Sequence, residues 1–168
     1  EFVIDGENLI ATSPGSPHVI CVNIKTGEQV CELMQPQLRK LVGLSGGNVI
    51  VSSVGFLEAF NGQTGEVAWM LPHEGDHNSV LIAQRDRVLT VALDKMTTQR
   101  SVRDPSLHRS VRWIDGKTGT IVRRVELKGN EDQLYAAEQL MSDGKVIVGL
   151  SNVSKKSPYG RLIILHAP

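Results

Sequence analysis

The feature that most constrains this chain is a pattern that occurs three times along it. Each copy has a short apolar run, an Asn or Asp, a Thr-Gly pair and a second apolar run. The glycines of the three pairs are Gly27, Gly65 and Gly119, and they lie 38 and 54 residues apart. A repeat of this kind must be identified first, because it decides the architecture of the whole chain.

A second recurring element, rich in Val, Leu and Ile, fixes the period of the repeat. It begins at residues 8, 48, 87 and 145. The first spacings are 40 and 39 residues, and the longer last one returns to about 40 when an insertion at 95–110 is set aside. Four copies of one unit are therefore predicted to fill the chain, at about 1–33, 39–71, 80–127 and 134–168.

The second copy, residues 39–71, shows the content of one unit. It holds four runs of β-branched and apolar residues, separated by turns that contain glycine. Residues 131–141 come nearest to a helical pattern, and their position in the repeat assigns them to a strand. A repeated four-stranded unit of about 40 residues is typical of a β-propeller blade. We therefore predict an all-β fold, a β-propeller of four-stranded antiparallel blades, forming one domain or half of a propeller.

The Thr-Gly pair is interpreted as turn chemistry. A tight reversal between the third and fourth strands needs a residue at positive φ, which glycine adopts without a steric penalty. The side chains of Asn23, Asn61 and Asp115 precede the three pairs and can accept hydrogen bonds from turn amides. These recurring residues are predicted to be structural.

The segment FNGQTGEVAWML, residues 60–71, resembles the PQQ-type repeat of quinoprotein-like propellers. That family contains quinoprotein dehydrogenases and many quinone-free, non-enzymatic relatives. In the dehydrogenases the tryptophan four residues after the glycine docks neighbouring blades together, so the resemblance implies this role for Trp69. Cys31 and Arg123 stand at the corresponding positions of the first and third copies.

The number of units bears on assembly. Rings of the PQQ type usually have seven or eight blades, and the fourth unit here ends without an outer strand. We expect the chain to pair with the remainder of a larger propeller or with a second copy of itself. A closed four-bladed ring is a further alternative.

Two loops of the third unit, residues 72–79 and 95–110, are candidates for binding a protein or anionic partner, since long loops on a rigid scaffold often carry function. The alternative is a surface insertion with solvated charges. The candidate side chains are His73, Glu74, His77, Lys95, Arg100, Arg103, His108 and Arg109. His73, Asp76 and His77 are also weak metal candidates, because one loop rarely supplies the three or four converging ligands that zinc needs.

Cys21 and Cys31 flank the first Thr-Gly turn on adjacent strands. Counting outward from the turn places them opposite each other or one residue apart, a spacing that a disulfide can bridge. The alternative is two buried thiols that act as small apolar side chains.

Composition argues against two classes of protein. The formal net charge is zero, which argues against a nucleic-acid binder, and no apolar stretch reaches the length of a membrane span. No catalytic constellation, adjacent cysteine pair or metal-binding acid cluster is visible, and we expect no cofactor. The sequence favours a non-catalytic scaffold or binding module within a larger protein. The alternative is a fragment of a PQQ-dependent dehydrogenase, and the resemblance favours a periplasmic or other extracytoplasmic location in either case.

Overall fold

The computed structural model describes residues 1–13, 15–73, 81–94, 108–127, 134–142, 145–152 and 159–166. Every element in these residues is a strand or a turn, and the strands form antiparallel sheets that follow the sequence repeat. The all-β architecture of propeller blades predicted from the repeat is confirmed.

The first sheet has the order β1-β2-β3-β4, so that each strand pairs with the next in sequence. Its strands are β1 (Phe2–Asp5), β2 (Asn8–Thr12), β3 (His18–Asn23) and β4 (Gln29–Met34). The second sheet repeats this order with β5 (Leu38–Ser45), β6 (Asn48–Ser53), β7 (Phe56–Asn61) and β8 (Val67–Pro72). Short glycine turns permit this meander because they reverse the chain within two to five residues.

The third sheet has the order β12-β11-β10-β9, and the fourth has three strands in the order β13-β14-β15. The strands are β9 (Leu81–Gln84), β10 (Arg87–Asp94), β11 (His108–Asp115), β12 (Ile121–Leu127), β13 (Leu134–Ser142), β14 (Lys145–Asn152) and β15 (Tyr159–His166). The fourth sheet thus lacks an outer strand in the described part of the chain. The sequence pattern predicted this.

One boundary differs from its prediction. The insertion was expected to run through residue 110, but β11 already begins at His108. Both β10 and β11 contain eight residues, against six in the corresponding β6 and β7, so this hairpin is longer than that of the second copy. His108 and Arg109 therefore belong to a strand, where backbone pairing extends further than the apolar run alone indicates.

A cluster of buried apolar side chains lies between the first two sheets. Alternate residues of a strand point to opposite faces, and one face of the first sheet carries Ile10, Val19 and Cys21 from β2 and β3. These side chains share a buried cluster with Leu41, Val49, Val51 and Phe60 of the second sheet. Burying one aliphatic side chain of this size is worth roughly 1.5–3 kcal/mol. This cluster therefore helps to hold the two sheets together.

By internal contacts the chain divides into two compact regions. The first comprises Glu1–His73, Ile82–Val88 and Ile114–Thr120, and the second comprises the rest. No helix in the described residues has the length and apolar character required to cross a membrane.

Candidate functional site

The turns between third and fourth strands adopt one geometry in three sheets. Gly27, Gly65 and Gly119 have φ of 74°, 72° and 73°. In each turn the Asn or Asp side chain accepts two backbone hydrogen bonds; Asn61 Oδ1 accepts from Gln63 N at 2.8 Å and Thr64 N at 3.0 Å. The threonine hydroxyl accepts a third, as Thr64 Oγ1 does from Glu66 N. This end of the sheets is occupied by structural hydrogen bonds.

Trp69 packs against the turn of the third sheet. Its indole Nε1 donates to the Gly116 carbonyl oxygen at 2.9 Å, and the side chain is 8% exposed. A Cβ at Gly119 would lie 2.8 Å from Cγ of the indole ring, so the Trp69 side chain fits there only because residue 119 is a glycine. This is the kind of contact between blades that the resemblance to PQQ-type repeats implies for Trp69.

The position of Trp69 is filled differently in each sheet. Trp69 lies opposite Ala59, and at the same place in the first sheet Cys31 lies opposite Cys21. The two cysteines have Cα atoms 4.9 Å apart and are joined as a disulfide. In the third sheet the guanidinium of Arg123 lies 5.2 Å from the ring centroid of Trp113. One repeat position thus holds a covalent bond, a packed aromatic ring and a cation–π contact.

A cavity of about 250 Å³ opens at the other end of the strands. It lies between the loop that joins β2 to β3 and the start of β5, entirely within the first compact region. Its polar lining consists of Glu1, Thr12, Ser13, Ser16, Arg39 and Lys40. This end of the strands carries the loops between second and third strands and between sheets, and loops on a rigid scaffold often bind ligands.

A β-bulge brings the two cations of the cavity together. Leu38 pairs with Ser53 and Lys40 with the adjacent Ser52, so Arg39 is an extra residue in β5. In a regular strand, adjacent side chains point to opposite faces, and a bulge redirects one of them. Both Arg39 and Lys40 therefore reach the same cavity. The corresponding strand of the first sheet, β1, pairs with β2 without a bulge.

The charges of the cavity are unbalanced. The side chains of Arg39 and Lys40 form no ion pair or hydrogen bond within the described part of the chain, and both residues are exposed. The single acid, Glu1, uses Oε2 to accept a hydrogen bond from Leu41 N at 2.9 Å. Two cations thus stand against one carboxylate that already has a donor.

The rim of the cavity is held by hydrogen bonds. Thr12 Oγ1 donates to the His18 carbonyl oxygen at 2.9 Å, and Ser16 Oγ accepts from His18 N at 3.1 Å. Gln35 N donates to the Pro17 carbonyl oxygen at 2.7 Å, while Gln35 Nε2 donates to Glu58 Oε2 at 2.6 Å. The loop before β3 and the connection before β5 are therefore fixed to each other, and the Ser16 hydroxyl keeps its proton for a ligand.

The side chains predicted to bind a partner at the third copy fall mostly outside the described residues. Glu74, Asp76, His77, Lys95, Arg100 and Arg103 lie there, and the side chains of His108 and Arg109 lie there as well. His73 is buried, 4% exposed, and its backbone N donates to the Gly55 carbonyl oxygen at 2.8 Å. Both loops remain predicted partner sites, and the metal site suggested for His73, Asp76 and His77 remains a prediction.

Arg39 and Lys40 were not among the candidates. Adjacent residues of a regular strand point to opposite faces, so the sequence alone predicts that Arg39 and Lys40 lie on different sides of the sheet. The bulge brings both side chains to one cavity, and the bulge depends on the pairing register of β5 with β6. In the sequence, the cavity is indicated only by two adjacent cationic residues that follow a Pro-containing connection.

Comparison with known proteins shows the fold. No protein-family model matches the chain. A search of curated proteins also finds no match. Among solved structures, BamB from Moraxella catarrhalis is 14% identical with a TM-score of 0.54, over 92% of this chain and 45% of its own. A europium-containing methanol dehydrogenase is 13% identical with a TM-score of 0.59, over 90% of this chain and 34% of its own.

A third structure, quinohemoprotein alcohol dehydrogenase ADHIIG from Pseudomonas putida HK5, is 16% identical with a TM-score of 0.53. The match covers 90% of this chain and 28% of the dehydrogenase. In all three comparisons the chain spans less than half the length of the solved structure.

Proposed function

We propose that this chain, which has the fold of the quinoprotein-like β-propellers, is a non-catalytic scaffold or binding module that forms part of a larger propeller. The observation that carries the proposal is the outer face of the first sheet. Phe2, Ile4 and Met34 lie on this face and are 69%, 58% and 62% exposed. A soluble protein rarely leaves such an apolar surface uncovered unless a partner binds to it.

The register of the sheet shows that these residues share one face. Ile4 pairs with Leu9, Phe2 pairs with Ala11, and Ala11 pairs with Ile20 of β3. Paired residues point to the same side of a sheet. The opposite side carries Ile10 and Cys21, which pack in the core with the second sheet. The first sheet thus buries apolar side chains on one face and exposes Phe2, Ile4 and Met34 on the other, beside the exposed ion pair of His18 with Glu32. An exposed apolar area opposite the core is expected of a blade that lies between two neighbours.

The proposed occupant of the outer face is a preceding blade of the larger ring. This agrees with the comparisons, since each of the three structures is more than twice as long as the part that this chain matches. A blade is itself a four-stranded sheet with an apolar face, so it matches the first sheet in shape and chemistry.

Light scattering tests this proposal on the chain and on Ile4→Lys/Met34→Lys. We expect the unmodified chain to associate, and the lysines to suppress association because they place charges in the contact. Val67→Lys is the matched control, since Val67 is 59% exposed on the second sheet. Association that ends when the remaining blades are supplied supports the proposal. A mass of twice 18.4 kDa indicates a second copy instead, and a folded monomer contradicts the proposal.

A location outside the cytoplasm is part of the proposal. Disulfides persist in oxidising compartments and are rare where glutathione and thioredoxin keep thiols reduced. The Cys21–Cys31 pair supports such a location, as does the resemblance to quinoprotein-like propellers. Alkylation of the protein isolated from its native source, followed by mass measurement, tests it. Two alkylated cysteines without prior reduction would contradict this location.

The alternative function is a segment of a PQQ-dependent dehydrogenase whose catalytic residues lie elsewhere. Two of the three structures compared are named as dehydrogenases, which supports it, whereas BamB carries no reaction in its name. The chain itself has two cysteines, separated by nine residues, and neither has a neighbouring cysteine in sequence. Incubating the full-length protein with PQQ and Ca²⁺ and assaying alcohol oxidation with an electron-accepting dye separates the two functions.

A further inference from the structure

We infer that the cavity between the β2–β3 loop and the start of β5 binds an oxyanion, a carboxylate or phosphate group, through Arg39, Lys40 and Ser16. The inference deepens the proposed function, because it names the chemistry that this binding module recognises. It rests on three independent features of the site, which are the bulge, the charge and the fixed rim.

The bulge is the first feature. The pairing of β5 with β6 is irregular at Arg39, where the bulge brings two cations to one cavity. The corresponding pairing of β1 with β2 is regular. A bulge sacrifices a regular ladder contact and is over-represented beside binding and active sites. If Arg39 and Lys40 served only to keep the surface soluble, a regular strand with one cation on each face would do so equally well.

Charge is the second feature. Two like charges in one recess repel each other unless an anion lies between them. Glu1 offsets one of the two, but its Oε2 is engaged by Leu41 N, and neither cation contacts it closely enough to form an ion pair in the described structure. An arginine and a lysine together supply a planar fork of donors and a point charge, which suits carboxylate and phosphate oxygens.

The fixed rim is the third feature. The hydrogen bonds of Thr12, Ser16 and Gln35 hold both loops before any ligand arrives, so binding requires little ordering of the backbone. Ser16 Oγ already accepts from His18 N, and its proton is therefore directed away from that bond. The hydroxyl complements the two cations as a neutral donor to the same anion.

The size of the cavity limits the ligand. A volume of about 250 Å³ is below the range of roughly 300–1,000 Å³ that is usual for drug-sized ligands. It fits one compact anionic group, either a free small anion or the acidic side chain of a peptide. Both sources present the same oxygen chemistry to Arg39 and Lys40, so the experiment must distinguish them.

Isothermal titration calorimetry on the full-length protein tests the inference, with inorganic phosphate, citrate, tetraglutamate and tetraglutamine as probes. We expect one saturable site for at least one anionic probe and none for tetraglutamine. Arg39→Gln and Lys40→Gln should each weaken binding about tenfold, the effect of losing one charge-assisted hydrogen bond. Ser16→Ala should weaken it less. Lys117→Gln is the matched control, because Lys117 is an exposed lysine in the turn at the other end of the strands.

The outcomes separate the two sources. Tighter binding of tetraglutamate than of citrate and phosphate assigns the site to an acidic protein segment, and the reverse order assigns it to a free anion. No saturable heat below about 10 mM for any anionic probe overturns the inference. Equal weakening in Lys117→Gln also overturns it, because binding would then follow net charge alone.

Failure of this inference and failure of the proposed function are distinguishable. Arg39 and Lys40 are exposed on β5 of the second sheet, whereas Phe2 and Ile4 lie on the outer face of the first sheet. Their glutamine variants should therefore associate in light scattering as the unmodified chain does. Circular dichroism melts that match the unmodified protein show that any loss of binding is not a loss of fold.

Discussion

The carbonyl oxygen of Gly116 accepts two side-chain hydrogen bonds, from Trp69 Nε1 at 2.9 Å and from Asn48 Nδ2 at 2.8 Å. Both donors belong to the second sheet and are buried, and the acceptor belongs to the turn after β11. A buried carbonyl that loses all its donors costs about 1–3 kcal/mol, whereas one that retains a donor costs less. The two donors are therefore partly redundant.

This redundancy predicts non-additive losses. Trp69→Phe should lower the free energy of unfolding by about 1–3 kcal/mol through lost ring volume and one hydrogen bond. Asn48→Ala should lower it by about 1–2 kcal/mol. The double variant should lose about 1 kcal/mol more than the sum, because Gly116 then has neither donor. Urea denaturation of the four proteins measures the difference, and strictly additive losses would show that the shared acceptor is unimportant.

The three turn glycines give a second prediction, because they share one φ but differ in crowding. An added Cβ meets nothing within 4 Å at Gly27, the Glu32 carbonyl oxygen at 3.0 Å at Gly65, and the Trp69 ring at 2.8 Å at Gly119. Alanine at each position carries the same left-handed penalty of about 1–2 kcal/mol. Overpacking adds about 1–3 kcal/mol where a rigid ring stands in the way.

Thermal melts of Gly27→Ala, Gly65→Ala and Gly119→Ala should therefore rank in that order, from the smallest loss of Tm to the largest. Gly27→Ala is the internal control, since it isolates the cost of the backbone conformation. Equal losses at the three positions would mean that the indole ring moves aside freely, and that Trp69 does not fix the turn of the third sheet.

The fold could be predicted because the same pattern of strands and turns recurs along the chain. All four copies carry strand-forming runs, and three of them carry an Asx-x-x-Thr-Gly turn, so local propensity and turn chemistry agree along the chain. The four runs of the second copy lie at 39–45, 48–53, 56–61 and 66–71, and the strands β5 to β8 begin and end within one residue of these limits. The strand assigned within residues 131–141 also exists, as β13. Its position in the repeat outweighed its partly helical pattern.

The cavity could not be predicted, because it depends on register rather than on composition. Arg39 and Lys40 are adjacent in sequence, and only the first of the two register shifts in the β5–β6 ladder, at Arg39, places both in one recess. The exposed apolar face of the first sheet is a similar case. Ile4 and Ile10 look alike in the sequence, but one faces outward and the other lies in the core. Alternation predicts two faces without saying which one is covered.

The disulfide gives a third prediction. Cys21 and Cys31 stand ten residues apart in sequence, and a bridge of this span removes chain entropy from the unfolded state. Reduction should lower the free energy of unfolding by about 2–4 kcal/mol. Differential scanning calorimetry with and without dithiothreitol measures the loss.

Cys21→Ala/Cys31→Ala is the matched control for that experiment. It should melt near the temperature of the reduced protein and should not respond to dithiothreitol. A reductant effect of equal size in the double variant would mean that the bridge is not its cause. A Tm of the double variant equal to that of the oxidised protein would show that two buried apolar side chains suffice at this position.

The fourth prediction concerns Asp115, the one acid among the three Asx positions. Its Oδ1 accepts from Thr118 N at 2.9 Å and Lys117 N at 3.0 Å, and Oδ2 accepts from Arg87 at 2.8 Å. The backbone hydrogen bond from Thr118 is the main cause that lowers the pKa of this carboxyl, aided by the Thr118 hydroxyl, the Lys117 amide and the charge of Arg87. Because folding favours the charged form, Asp115 stabilises the fold above the unfolded pKa of about 3.9, and this contribution is lost as the pH falls toward the lower folded value.

Asp115→Asn provides the measurement, since Asn23 and Asn61 fill the same position in the other two turns. Asparagine keeps the acceptor for the turn amides but loses the charge and the ion pair with Arg87. At neutral pH the variant should melt below the unmodified protein, and the gap in Tm should close as the pH falls from about 5 to about 3. Asn61→Asp is the converse test. A second acid in a turn of this kind should make the Tm fall further as the pH falls from about 5 to about 3. A gap for Asp115→Asn that stays constant with pH would mean that the carboxylate contributes only as a neutral acceptor.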